Sequence, residues 1–575
     1  MFNKIGKIMK KASFLLALIV VLFSIGCSKE KVNKEEKAKM EKEYEQVISE
    51  YESLMIPAYR EMSLQYFVAA TNSTPENWEK YAKLEMKVNE ILSNKNLFER
   101  IKKIKESNLI DDPIKKRRIE VLYLTFLGKQ VDTAKLNQIT KLQSEIENKY
   151  SSYRTIYKNK KLSDNDVEEI LKTSTNSKEL KEVWESQKQI GRLVAEDILK
   201  LVKLRNEVAR QLGFKNYHDM SLRLSEQDPA EIEKLFDELD NLTRDAFKKE
   251  KQLMDEVLAK RYKIKPEELM PWHYQNRFFQ EAPKIYDVDV DKYYQDKDIV
   301  KLAKDYYASI GLPIDDIIAR SDLYERENKN QHAFCINIDR DAKDIRILCN
   351  IKPNARWMET TLHENGHALY EKYLDEKLPW DLKTPAHIFT TEAIAMLFGR
   401  FATNPQWMLD MNCISQDEAN KIKDEVRKTL RLQQLVFSRW SQVMFRFEKS
   451  MYENPDQDLN KLWWDLVEKY QLLKKPEGRN EPDWATKIHI ATSPCYYHNY
   501  LLGELLASQL YNYIVTNVLK GNPGQDYSFY NKKEVGKYLI DNVFSPGAKY
   551  FWNDMIEKAT GEKLTPKHYA EQFVK

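Results

Sequence analysis

Two histidines four residues apart, with a glutamate directly after the first, stand in the stretch Thr360-Thr361-Leu362-His363-Glu364-Asn365-Gly366-His367-Ala368-Leu369-Tyr370. On a helix, positions four apart share one face, one turn above the other. His363 and His367 can therefore point the same way and bind one metal ion. Zinc suits such a pair, because imidazole nitrogen reaches it at ~2.0–2.1 Å and a catalytic site keeps one position open for water. Glu364 then hangs beside the open position, where it can take a proton from a water attacking a peptide carbonyl. With 9 histidines in 575 residues, composition alone would produce this spacing roughly once in a hundred chains. The plain alternative is a helix with two ordinary histidines. Against it, Asn365 and Gly366 are poor helix formers that need a reason to be there.

Two histidines need a third protein ligand. Glu371 stands ~6 Å beyond His367 along a helix axis, too far to share the ion. Glu392, in Thr390-Thr391-Glu392-Ala393-Ile394-Ala395, is the better candidate: two threonines can cap its helix and small alanines let it pack close. The alternative for Glu392 is an exposed glutamate in a first helical turn.

The elements that must position these groups are mostly helical. The chain has 575 residues with only 15 glycines, 42% hydrophobic and 31% charged residues, a globular composition that favours long helices over turn-rich sheet. From about residue 42 to 261 apolar residues recur at helical spacing; one such run begins at Leu193 and ends at Leu212-Gly213, where glycine suits a helix stop. The lysine-rich patch Lys158-Asn159-Lys160-Lys161 reads as solvated loop or helix face. The period changes once. Residues 332–339 and 344–351 are isoleucine-rich and partly alternating, joined by a polar turn from Arg340 to Lys343, and read as a β-hairpin. It precedes the histidine helix closely, so its edge is expected to line the site and receive an extended chain as a further strand. Cys335 and Cys349 flank this hairpin and form a candidate disulfide, with two buried free thiols as the alternative.

The N-terminus reads as a targeting segment. Lys4, Lys7, Lys10 and Lys11 precede an apolar run from Ala12 to Phe23, followed by Ser24-Ile25-Gly26-Cys27. The run is short for a membrane-spanning helix. A small residue followed by cysteine resembles a bacterial lipoprotein signal, although Ser24 stands where an aliphatic residue is usual; an ordinary signal peptide or uncleaved anchor is the alternative. The expected organisation is a leader over 1–26, lipidated Cys27 with a charged tether to residue 41, and a helical domain over 42–575. The protein would be an exported cell-envelope lipoprotein, anchored to the membrane and facing the periplasm or the exterior. The formal net charge is +3; without the leader's four lysines the rest is near neutral, which points to no nucleic-acid partner.

His363-Glu364-Asn365-Gly366-His367 followed by Thr391-Glu392-Ala393-Ile394 resembles the angiotensin-converting-enzyme family of zinc peptidyl-dipeptidases. The likeness extends to Lys487-Ile488-His489, to Tyr497-His498-Asn499-Tyr500, to His332-Ala333, to Gly213 through Tyr217 and to the C-terminal run from Tyr550 to Leu564. It spans roughly residues 40–575. The resemblance implies one zinc ion held by His363, His367 and Glu392, with Glu364 as general base and then proton donor. His489 and Tyr500 would hold the developing oxyanion. Lys487 and Tyr497 would grip the terminal carboxylate of an oligopeptide, and the backbone of Ala333, beside His332, would hold the chain. Gln275, after Trp272, is the candidate for the family's carboxylate-binding glutamine, one residue off its usual spacing. Two departures stand out. Met396 replaces the aspartate that often supports a zinc ligand, and Asn499 replaces an arginine tied to chloride.

The fold expected is mostly α, with two helical subdomains enclosing a deep active-site cleft and a small β-hairpin beside the zinc helix. The activity expected is zinc-dependent release of C-terminal dipeptides from oligopeptides. The alternatives are a thimet-type oligoendopeptidase, which shares the histidine helix and a distant glutamate, and a surface lipoprotein that binds peptides without cleaving them.

Overall fold

Apolar side chains at helical spacing, with few glycines to interrupt them, produce the helical chain that the composition predicts. The structure is a computed structural model and describes residues 34–574; the leader and the lipidation site Cys27 lie outside the described residues. No helix among the described residues is long and apolar enough to cross a membrane. The strands form two separate two-stranded sheets.

The chain divides into two compact units, a smaller one of residues up to Tyr59 together with Leu84–Gln130, and a larger one of Arg60–Lys83 together with Val131 onward. In the smaller unit, α1 (Lys95–Ser107) starts on Asn94, whose side chain accepts from Leu97 N at 3.0 Å. Helix α2 (Pro113–Leu127) starts on Asp112 followed by Pro113, a preorganised first turn. Leu97, Ile101 and Ile104 bury one stripe. Arg100 bridges Glu43 and Glu50, and Lys115 bridges Glu41 and Glu45.

The larger unit contains a hairpin that helical periodicity conceals. Strands β1 (Thr155–Tyr157) and β2 (Lys160–Leu162) pair antiparallel around the two-residue loop Lys158-Asn159. Both loop residues have positive φ, 47° and 62°, the conformation that matches the twist of a tight hairpin. The patch read as loop or helix face is therefore a turn with strand on its far side. Helix α3 (Ile190–Gln211) ends just before Gly213, which has φ +88°, as the glycine signal predicted.

Strands β3 (Phe334–Asp339) and β4 (Asp344–Leu348) form the expected second hairpin. The register sets Cys335 opposite Ile347, so Cys349 lies beyond the end of β4 and two places out of line. Both thiols are free. This corrects the candidate disulfide: a bond needs Cβ atoms brought to within about 4.5 Å, and diagonal positions on a hairpin stand farther apart.

Four helices then build the site. Helix α4 (Ala355–Lys372) carries both histidines of the motif, and Asn354 caps it by accepting from Trp357 N at 2.9 Å. Helix α5 (Ile388–Gly399) carries Glu392, α6 (Gln416–Glu453) runs for 38 residues, and α7 (His498–Tyr513) starts just after Tyr497. Helices α5 and α7 are buried nearly all round, as expected for helices inside a core. Met358, Leu362, Ile394, Leu397, Trp440, Leu501 and Leu505 belong to one continuous buried cluster.

Candidate metal centre

Close helix contact decides where the third ligand stands. A Cβ on Gly366 would come within 2.9 Å of Ala395 Cα, and a Cβ on Gly503 within 3.2 Å of Glu392 Cβ. Glycine costs a helix ~1 kcal/mol against alanine, and here it lets α5 lie against α4 and α7 at backbone distance. Asn365, the other poor helix former of the motif, is buried and donates through Nδ2 to Thr361 O at 2.8 Å. The cap of α5 differs from the sequence expectation. His387 is the capping residue, accepting from Phe389 N at 3.2 Å. Thr390 donates to His387 O at 2.7 Å. Glu392 thus falls inside the helix, with a side chain only 14% exposed.

His363 Nε2 lies 3.7 Å and His367 Nε2 3.8 Å from Glu392 Oε2, and one donor atom from each residue falls within 4.8 Å of the others. Ligands at ~2.0–2.1 Å from a tetrahedral ion stand a little over 3 Å apart, so small rotations close this set around zinc. The donor chemistry fits as well. Burial holds His363 down to about 4, and burial with the neighbouring His363 holds His367 well below the usual histidine range. Both imidazoles are therefore neutral, with a lone pair free. His367 Nδ1 lies 2.7 Å from Thr391 Oγ1, which leaves Nε2 for the metal. A threonine hydroxyl on α5 thus orients this candidate ligand, at a site where Met396 stands in place of the aspartate noted above. Glu371 is not part of this donor group, and its carboxylate accepts from Asn337 Nδ2 on β3 at 2.8 Å.

Glu364 is buried, and burial together with Glu392 pushes its carboxyl up to about 8. His363 lines a cavity of about 710 Å³ that also contains His489, Tyr497, Tyr500 and Lys487, and every residue lining it belongs to the larger unit. The His489 ring packs edge-on against Tyr497, with centroids 5.3 Å apart, and Tyr497 meets Tyr500 at the same separation. His489 Nδ1 is buried without a partner among the described residues.

Lys487 is buried among Phe278, Trp440 and Tyr497, with Nζ 5.1, 5.4 and 5.3 Å from their ring centroids. Its Nζ donates to Gln280 Oε1 at 2.6 Å. Burial, reinforced by Arg277, holds the ammonium down to about 7. A buried cation that meets an amide and aromatic faces is suited to an incoming carboxylate. The glutamine here is Gln280, not Gln275. Gln275 is buried and accepts from Lys284 N at 2.9 Å, outside the cavity. Counting from Trp272 failed because the backbone is irregular: Gln275 and Phe279 both have positive φ, 60° and 52°. The usable signal was Gln280 following the aromatic pair Phe278-Phe279.

The segment carrying Lys487 and His489 is pinned from two helices. Arg205 on α3 donates to Ala491 O at 2.7 Å, and Glu448 on α6 accepts from Cys495 N at 2.8 Å. Asn499, where an arginine was noted as missing, accepts from Gln227 Nε2 at 2.8 Å, and Gln227 Oε1 lies 2.7 Å from His498 Nε2. His332 and Ala333 are not gathered into the cavity. His332 is exposed, its N–H donates to Asn330 Oδ1 at 2.9 Å, and Ala333 is half-buried just before β3. The hairpin does pack on the histidine helix, through the Asn337–Glu371 bond.

The chain matches the model of the family described as Angiotensin-converting enzyme over residues 38–571. It is 23% identical over 426 residues to the Angiotensin-converting enzyme of Rattus norvegicus, a match covering 69% of this chain and 32% of the relative. The enzymes of Sus scrofa and Bos taurus match at the same identity over 427 and 429 residues, with the same shares. The match thus spans about a third of the length of these curated relatives.

Proposed function

The chain belongs to the Angiotensin-converting enzyme family of peptidases, and we propose that it is a zinc-dependent peptidase releasing dipeptides from the C-termini of oligopeptides. The observation that carries this reading is the pairing within one cavity of the His363 donor face with the buried Lys487. A cation held in an aromatic enclosure beside a metal centre has an evident use for a peptide that presents a free carboxylate.

His363, His367 and Glu392 would hold the zinc, which when bound supplies Lewis-acid activation of water and of the scissile carbonyl. Lys487, Gln280 and Tyr497 bind the terminal carboxylate and so fix which peptide bond reaches the centre. Glu364 removes the proton of the attacking water and delivers it to the departing amine. The Tyr500 hydroxyl and the His489 ring donate to the carbonyl oxygen as negative charge develops there, the kind of fixed hydrogen bonding that contributes several kcal/mol. The enclosing protein limits competing water and strengthens each of these contacts.

A thimet-type oligoendopeptidase would share the metal face but gain nothing from Lys487, and a non-catalytic peptide binder would have no use for a carboxylate directly after the first histidine of that face. We further propose that the mature protein is exported and held at the membrane through a lipid on Cys27. Mass spectrometry of a peptide mixture tests the reading. Successive loss of two C-terminal residues is expected, slowed by amidating the terminus and abolished in Glu364→Gln, which keeps its zinc. Internal cuts at equal rates on free and amidated peptides would replace the peptidyl-dipeptidase with an oligoendopeptidase.

A further inference from the structure

One carboxylate in the cavity has no task in the chemistry above. Glu359 lies one turn before His363 on α4, on the same face, and lines the cavity that holds His363 and Lys487. Among the described residues no hydrogen-bond or ion-pair partner reaches it. Arg356 acts on it only at longer range. The other acid of this wall, Glu504, is matched by the buried Arg400 guanidinium and accepts from Gln434 Nε2 at 3.0 Å. The Glu359 Cγ lies against Gly399, 3.5 Å from where a Cβ on that glycine would stand. The residue is itself exposed to the cleft, and the protein walls around it, with Glu504 nearby, push its carboxyl up to about 7. An unpaired carboxylate in such a place gains most from a cation brought in by a ligand.

We propose that Glu359 is a specificity-determining residue that pairs with a lysine or arginine side chain of the peptide, within the C-terminal segment anchored by Lys487. The assignment to that segment rests on the peptidase reading, because the cavity containing Glu359 is the one containing the carboxylate anchor. The cleft would then read two charges of opposite sign: a terminal carboxylate at Lys487 and a basic side chain at Glu359.

The test uses N-blocked peptides identical except for Arg, Leu or Glu in each of the last two positions. The ratio of kcat/KM for Arg over Leu peptides is expected to be about tenfold in the native protein, and to vanish in Glu359→Gln. Glu359→Lys should favour the Glu peptide instead. The same peptides are titrated by fluorescence anisotropy onto zinc-loaded Glu364→Gln protein, with and without Glu359→Gln, so that binding is read without turnover. An Arg preference in binding that depends on Glu359, with no cleavage by the native protein, would sink the peptidase reading and leave this inference standing. Arg-over-Leu ratios, in rate and in binding, that are the same with and without the Glu359 carboxylate would overturn the inference, whatever is cleaved.

Discussion

The two ends of the cleft are built on opposite plans. At the metal end, three donors sit on two regular helices, and glycines at the crossings hold those helices together. At the anchor end, Lys487 and His489 sit at the junction of two single helical turns, Asp483–Thr486 and His489–Thr492, held by Arg205, Glu448 and an aromatic enclosure drawn from distant parts of the chain. A helix prescribes where residue i+4 points, so a metal face can be written into five consecutive letters. Two single turns joined at a break prescribe much less, so their functional groups must be fixed by buried hydrogen bonds from elsewhere.

Substitutions at the two ends should therefore fail differently. The largest effect is expected from His363→Ala, which should lose zinc and peptide hydrolysis together; metal analysis beside an activity assay checks it, and retained stoichiometric zinc would contradict the donor set. Next, Lys487→Met should keep zinc while raising KM about 30-fold for free-carboxylate peptides and little for amidated ones, because it removes one partner of a buried charge pair. Equal losses on both peptides would mean that Lys487 serves its own segment rather than the substrate. A smaller effect, about tenfold weaker zinc binding, is expected of Thr391→Val, which removes the hydroxyl 2.7 Å from His367 Nδ1; competition with a chelator measures it.

The smallest effect sharpens the comparison at the anchor end. Burial pushes Glu448 up to about 8, despite the Cys495 N–H that it accepts. A carboxyl raised in the folded state contributes stability that is fully present below its ordinary pKa of 4.5 and lost as pH rises through 8. The melting temperature should accordingly decline from pH 4.5 toward pH 8, and Glu448→Gln should flatten that slope while leaving the metal end untouched. An unchanged slope would show that other groups set it.

The helical character, the β3–β4 hairpin and the two histidines with their glutamate were legible in the letters, since each rests on a local period or a short spacing; Glu392 was only a candidate there, supported by the resemblance. The Lys487, His489 and Tyr500 group was legible only through resemblance, because no period links these residues to the histidine helix. Three features escaped. The hairpin at Thr155–Leu162 is too short to disturb a helical pattern around it. The cap of α5 went to His387 because the chain enters that helix earlier than its threonines suggest. Gln280 was passed over for Gln275 because two residues with positive φ break the count from Trp272.

What the sequence determined by itself is the set of groups that can do the chemistry: a helix turn separates His363 from His367, and that distance is a property of the backbone. Which glutamine faces Lys487, which hydroxyl supports His367, whether Cys335 meets Cys349 and which wall carboxylate is left unmatched were decided only by the tertiary structure. Each depends on how closely distant segments pack, and packing distance is a property of the whole core that no short stretch of residues contains.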